Sequence, residues 1–285
     1  MDRIIDSVLH PTDFSEGSKV AFYHALKAAL IAKSRITLLN VSSPDATSSW
    51  SDFPGVRETL EKWGLLAPGS PKSAVGDLGI DVRKAITQKK DPVEAVVNYL
   101  HEFPAEMIVL ATSQKTGVAR WLSSSIAEPI ARKATEMTLF IGSDTKGFVS
   151  PDDGSVSLRN ILIPVAASPK PQPAIESAAR IAKSLELQEG TFTLLHVGDE
   201  SSMPAVRTRD LPGWTWAEDI RSGDVIQSII EAAKETKADL IVMGTDGRNG
   251  FLDGLRGSHS ERVLRQVNIP LLTVPVGSFV YDTIA

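Results

Sequence analysis

Gly244-Thr-Asp-Gly247, then nine residues, then Gly257-Ser258 leading into an apolar-periodic segment, is the most specific chemical signal in the 285-residue chain. Glycine has no Cβ, so a chain that turns after a strand can bring its N–H groups close to a ligand. A helix starting near Ser258 adds unpaired N–H groups and a partial positive charge, and both favour anionic oxygens. Phosphate is the ligand this spacing suits, with Gly244, Gly247, Gly257, Ser258 and His259 around it. Ser258 also has a structural reading. With Glu261 it forms a Ser-x-x-Glu capping box, and Ser125 and Glu128 repeat that box earlier in the chain, where the glycines are absent.

Other chemistries leave little trace. Neither G-x-x-x-x-G-K-[ST] nor a G-x-G-x-x-G after the first strand of either half occurs, which disfavours the ordinary P-loop and dinucleotide-fold readings. The five histidines, His10, His24, His101, His196 and His259, show no close metal-ligand pairing. There are no cysteines, so disulfides, thiolate metal sites and cysteine nucleophiles are excluded. Asp246 and Asp253 could hold Mg²⁺, and Arg248 or Arg256 could touch phosphate, although charges on loops are more often simply solvated. No general base stands out. The expectation is a binding protein rather than an enzyme, with slow nucleotide hydrolysis left open. Trp214 and Trp216, with Trp50 and Trp63, read as core aromatics before base-stacking ones.

The glycine loop needs a strand before it and a helix after it, and the chain supplies this unit twice. Residues 4–12 resemble 160–165, 36–41 resemble 192–197, 105–112 resemble 238–245, and 137–141 resemble 269–274. Their continuous apolar runs suit strands covered on both faces. Helical spacing occupies 19–33, 93–103 and 127–134 in the first half, and 174–185, 225–236 and 261–267 in the second. A weaker fifth strand per half lies near 80–86 and 214–220. This alternation implies an α/β protein made of two tandem, doubly wound, five-stranded parallel-sheet domains. Residues 144–157 are rich in Gly, Ser, Pro and Asp, so domains of 1–145 and 158–279 are expected, with 146–157 as linker. Residues 43–79 exceed their counterpart 198–213 and include a helical pattern at 56–66; a lid, a dimer contact and decoration all remain open.

Thirty basic against 35 acidic residues give a formal charge of −5, which argues against nucleic acid as the main partner. No run approaches the length of a membrane helix and no signal peptide is evident. The expectation is a soluble cytoplasmic protein.

These features together resemble the universal stress protein family, twice over and across nearly the whole chain. The resemblance rests on Pro11-Thr-Asp-Phe-Ser15, on the strand ends Leu39-Asn-Val41 and Leu195-His-Val197, and on the G-x-x-G, nine-residue, G-S loop. In ATP-binding members an aspartate after the first strand holds adenine, a valine after the second presents its backbone, and the glycine loop wraps the phosphates. Carried over, the loop falls on Met243, Gly244, Gly247, Gly257 and Ser258, the valine on Val197, and the first-strand end on Pro164, Val165 and Ala166. Ala166 stands where the aspartate belongs. The first half reverses the pattern: Asp13 and Val41 are weaker candidates there, because Ala111-Thr-Ser-Gln114 and Ser124-Ser125 replace the glycines.

The resemblance therefore implies a nucleotide-binding regulatory stress-response protein. Its one site would lie in the second half and take ATP, with or without Mg²⁺, or another adenine nucleotide. A non-catalytic interaction scaffold with a degenerate site, and a slow ATPase, are the alternatives. The motifs of the related nucleotide-hydrolase enzymes, S-G-G-x-D-S, H-I-G-H and K-M-S-K-S, do not occur. The family also pairs domains through their last strands, which implies an internal pseudo-dimer and leaves further homodimerisation and the protein partner open.

Overall fold

The computed structural model describes residues 5–41, 50–87, 91–112, 129–130, 136–142, 145, 147–246 and 259–276. The chain divides into two units, Met1–Ala131 with Thr138–Ser157, and Arg132–Met137 with Leu158–Ala285.

In the first unit the strands are β1 (Ser7–Thr12), β2 (Arg35–Val41), β3 (Asp81–Thr87), β4 (Met107–Thr112) and β5 (Met137–Gly142), ordered β3-β2-β1-β4-β5. The second repeats this with β6 (Asn160–Val165), β7 (Gly190–Val197), β8 (Trp214–Arg221), β9 (Leu240–Thr245) and β10 (Leu271–Pro275), ordered β8-β7-β6-β9-β10. Pairing is parallel along β3-β2-β1-β4 and along β8-β7-β6-β9-β10. Strand order reverses beside β1 in one unit and beside β6 in the other, and in such sheets ligands bind at the carboxyl ends of the strands around that point. The central strands are the continuous apolar runs: every residue of β4 is buried, and so are Leu240 to Val242 of β9. The outer strands β3 and β8 alternate toward solvent, which explains their weak sequence signal.

The helices are α1 (Glu16–Ala32), α2 (Val56–Lys62), α3 (Ala74–Asp77), α4 (Pro92–Glu102), α5 (Gln172–Ser184), α6 (Val225–Glu235) and α7 (His259–Gln266). Three starts carry side-chain caps: Ser15 accepts from the Ser18 N–H, Asp91 from those of Val93 and Glu94, and Asp224 from that of Gln227. α5 starts differently. Pro171 caps it without a side-chain bond, and in the repeat register it begins three residues later than α1, because Pro169 and Pro171 fall where α1 has its first turn. The helical pattern at 127–134 lies mostly outside the described residues.

Matching side chains tie the first two strand ends of each unit together. Asn40 donates through Nδ2 to the Thr12 carbonyl at 3.0 Å, and His196 donates through Nδ1 to the Val165 carbonyl at 3.1 Å. The two residues occupy the same register position.

Two segments differ in character from what composition suggests. Residues 50–79 contribute core to the first unit: Phe53, Val56, Leu60 and Trp63 are buried, and Phe53 lies against His10, Phe14 and Phe22. Residues 147–157, expected as part of the linker, are folded onto the same unit. Val149 bridges Val156, and Phe148 and Val149 are buried. Their N–H groups donate to His24 Nε2 at 3.0 and 3.3 Å, while His24 Nδ1 donates to the Val20 carbonyl at 2.8 Å. Gly147 and Gly154 have φ of +64° and +68°; a Cβ would meet the His24 ring at 2.1 Å from the first and the Trp63 ring at 2.5 Å from the second. Glycine supplies both the left-handed backbone and the close approach. Polar residues in this segment serve a tight turn and an ion pair, Lys62 to Asp152 at 2.7 Å, so their density does not signal a free tether.

Candidate functional site

In the second unit a cleft of about 320 Å³ opens at the carboxyl ends of β6, β7 and β9. β6 brings Pro164 and Val165 to its floor, and Ala166 follows directly. β7 supplies Leu195 and Val197. β9 ends in Met243, Gly244 and Thr245, with Asp246 next. His259 and Ser260 close the cleft from the first turn of α7, while Val225 and Ile229, one turn apart on α6, give it an apolar side. Pro164, Val165, Ala166, Val197, Met243, Gly244 and His259 are thus brought together from among the residues the sequence singles out. Gly247, Gly257 and Ser258 lie outside the described residues.

The remaining wall is the loop after β6, with Ser168, Pro169 and Pro171. Sequence reasoning missed it, although the alternating prolines in Ser168-Pro-Lys-Pro signal a helix that cannot start on time. This loop gives Gly244 its role. A Cβ there would lie 3.2 Å from the Lys170 carbonyl oxygen and 3.8 Å from Pro169 Cγ, so the missing side chain lets the loop lie against the end of β9. Val225 and Ile229 were legible only as an i, i+4 pair on a core-facing helix.

The polar side chains lining the cleft are few: Ser168, Thr245, Asp246, His259 and Ser260. α7 presents the start of an eight-residue helix, whose unpaired N–H groups carry partial positive charge. Beside it, Asp224 is held below the usual carboxylate range, chiefly by the Gln227 N–H it accepts, and also by the charges of Arg262 and His259. At the β7 end, His196 Nε2 lies 2.9 Å from Ser202 Oγ, and that hydroxyl also reaches the Asp199 carbonyl at 2.7 Å. A Cβ on Gly198 would collide with both His196 Nε2 and Ser202 Oγ at 2.8 Å, so a glycine lets the chain leave β7 over this pair.

The first unit is built differently at the same positions. Asp13 Oδ1 accepts from the Ser15 N–H at 3.0 Å, the Ser15 hydroxyl at 2.5 Å and the Ser18 hydroxyl at 2.8 Å, so this carboxylate organises the start of α1. Phe14, where the second unit has Ala167, has φ of +63° and packs its ring on Trp50 at 4.8 Å and Phe53 at 5.5 Å. A left-handed backbone is costly for such a residue and persists because its surroundings hold it. Val41, the other first-half candidate, ends β2 and is 2 % exposed. Among the described residues no cluster of three or more His, Asp or Glu side chains could hold a metal ion, and no helix is long and apolar enough to cross a membrane.

Known proteins place this architecture. A protein with 25 % identity from Mycobacterium tuberculosis, a universal stress protein, aligns over 83 % of this chain and 86 % of its own. Another, from Methanocaldococcus jannaschii, is 28 % identical over 43 % of this chain and 85 % of its own, about one repeat. Among solved structures, a universal stress protein from Archaeoglobus fulgidus superposes with a TM-score of 0.61 at 18 % identity, covering 95 % of this chain and 98 % of that one, which shows a shared fold. The sequence model of the universal stress protein family matches residues 5–141 and again 212–275. With two α/β units of one strand order and a family match across most of its length, the chain belongs to the universal stress protein family.

Proposed function

We propose that the second unit binds an adenine nucleotide, ATP in the first instance, and that the chain acts as a nucleotide-responsive regulatory protein rather than as an enzyme. The observation that carries this reading is the convergence of Pro164, Val165, Ala166, Val197, Met243 and Gly244 from three neighbouring parallel strands into one cleft beside the start of α7. The cleft's volume lies within the range of small-molecule sites. The base would rest between Ala166 and Val197, and the phosphates would lie toward Gly244 and the α7 terminus, where backbone N–H groups bind anions without a lysine. Asp246 is the lining carboxylate at that end, so Mg²⁺ would arrive with the phosphates and not on a protein cage.

The reading is tested by calorimetric titration of the ligand-stripped protein with ATP, AMP and GTP. One ATP per chain is expected, with binding abolished in Gly257→Val and the fold retained. Unchanged affinity in that variant would place the phosphates elsewhere. Ala166→Asp restores an acceptor for the adenine amino group. It should tighten ATP by about 1.5–3 kcal/mol relative to GTP, as for a hydrogen bond to a charged group. A second reading, an interaction scaffold with a degenerate site, draws on Ala166 itself and predicts no nucleotide bound or co-purified.

A further inference from the structure

β3 and β8 are the outer strands of their respective sheets, and each presents a row of backbone N–H and C=O groups with no neighbouring strand among the described residues. They hold two of the exposed large apolar side chains among the described residues, Ile86, 60 % exposed, and Ile220, 38 % exposed. These two isoleucines occupy the same register position in the two repeats, one beside Asn40 and the other beside His196. Charged residues commonly protect such edges from pairing. Here the charges have opposite balance: β3 reads Asp-Val-Arg-Lys-Ala-Ile-Thr and β8 reads Trp-Thr-Trp-Ala-Glu-Asp-Ile-Arg.

We infer that β3 of one copy pairs antiparallel with β8 of a second copy of this chain, joining the outer edges of their sheets. Laid antiparallel, Asp81 faces Arg221, Arg83 faces Asp219 and Lys84 faces Glu218. Val82 then faces Ile220, Ala85 faces Ala217, Ile86 faces Trp216, and Thr87 faces Thr215. Directly opposed side chains in an antiparallel pair share a face, so opposite charges attract and the apolar residues cover one another. The faces agree as well. Arg83 lies toward α4, its guanidinium 3.9 Å from the Phe103 ring centroid, and Arg221 lies toward α6, ion-paired with Glu235 at 2.6 Å; α4 and α6 are counterparts in the two repeats.

The neighbouring registers, and two-fold pairings about Lys84 or Glu218, oppose like charges. Shifting the register by two residues sets Asp81 against Asp219 or Arg83 against Arg221. Two-fold pairing of β3 with itself about Lys84 opposes Lys84 to Lys84, and two-fold pairing of β8 about Glu218 opposes Glu218 to Glu218. Such like-charge pairs are destabilising. Arg221 is already held by Asp219 and Glu235, and Asp81 by Arg35, so the pair that decides the contact is Lys84 with Glu218. Lys84 now lies over the Trp50 ring, 4.6 Å from its centroid. A contact between two different edges is head-to-tail, so copies add until a ring closes or continue in open series.

The test is sedimentation velocity of the full chain over a wide concentration range, at low and at high salt. The expected result is association that grows with concentration and weakens with salt. Lys84→Glu alone and Glu218→Lys alone should each weaken it on the order of tenfold. An equimolar mixture of the two variants should recover it, because every contact between unlike variants is again oppositely charged. Both positions are exposed, so neither variant threatens the fold. A wild-type chain that stays unassociated throughout, association untouched by both reversals, or a mixture no better than its components overturns the pairing.

Discussion

His10 and His24 are buried inside the first unit as neutral imidazoles. His10 Nδ1 donates to the Val109 carbonyl at 2.9 Å; His24 Nδ1 donates to Val20, and its Nε2 must stay unprotonated to accept from Phe148 and Val149. Burial pushes both down to about 4, against which the backbone carbonyls, and for His10 the charge of Asp13, act only in part. The unfolded chain protonates near 6.5, so the folded state loses stability as pH falls from that value toward 4. Between pH 7 and pH 5 the loss is about 2 kcal/mol per histidine. Asp153, held down to about 2 mainly by the Ser155 and Ser150 hydroxyls, loses its contribution only below the ordinary carboxylate range and stays outside this window. Urea unfolding at the two pH values measures the slope, and His24→Gln should flatten it by roughly half; an unchanged slope would mean that His24 is not neutral in the fold. Gly147→Ala, at a left-handed backbone against the His24 ring, should cost about 1–3 kcal/mol. None of this was legible in the sequence, where His24 is one histidine on a helix. What it accepts from lies 124 and 125 residues away.

At the scale of elements, the central strands were legible because both faces are covered and their apolar runs are unbroken. β3 and β8 were fainter because edge strands alternate toward water. The cleft was half legible. Gly244 follows from the glycine spacing, and Met243, Val197 and Ala166 from the family resemblance, whereas Ser168 and Pro171 enter it through a helix start delayed by prolines, a displacement that periodicity does not report. The 50–79 segment shows the same limit, since an apolar-periodic stretch reads alike whether it covers a site or completes a core. Leu60, fully buried on α2, decides between those roles. Leu60→Ala should lower the stability of the first unit by about 2–5 kcal/mol while leaving nucleotide affinity in the second unit unchanged. Unchanged stability would mean that the segment does not complete the core.

For the whole molecule, one strand order used twice carries different residues at matching positions: in the first unit Asp13 serves its own helix, and in the second Ala166 stands at that position while the loop after β9 holds glycines. The docking of residues 147–157 bears on how the duplicated chain can be taken apart. A fragment ending at 145 would strip away Phe148 and Val149, leave His24 Nε2 without its donors, and bare the Trp63 ring, whereas one ending at 157 carries its own closing stitch. Proteases that favour polar, glycine-rich stretches should therefore pass over this one, and the chain leaves the first unit for the second after Ser157, just before buried Leu158, rather than where the composition is loosest.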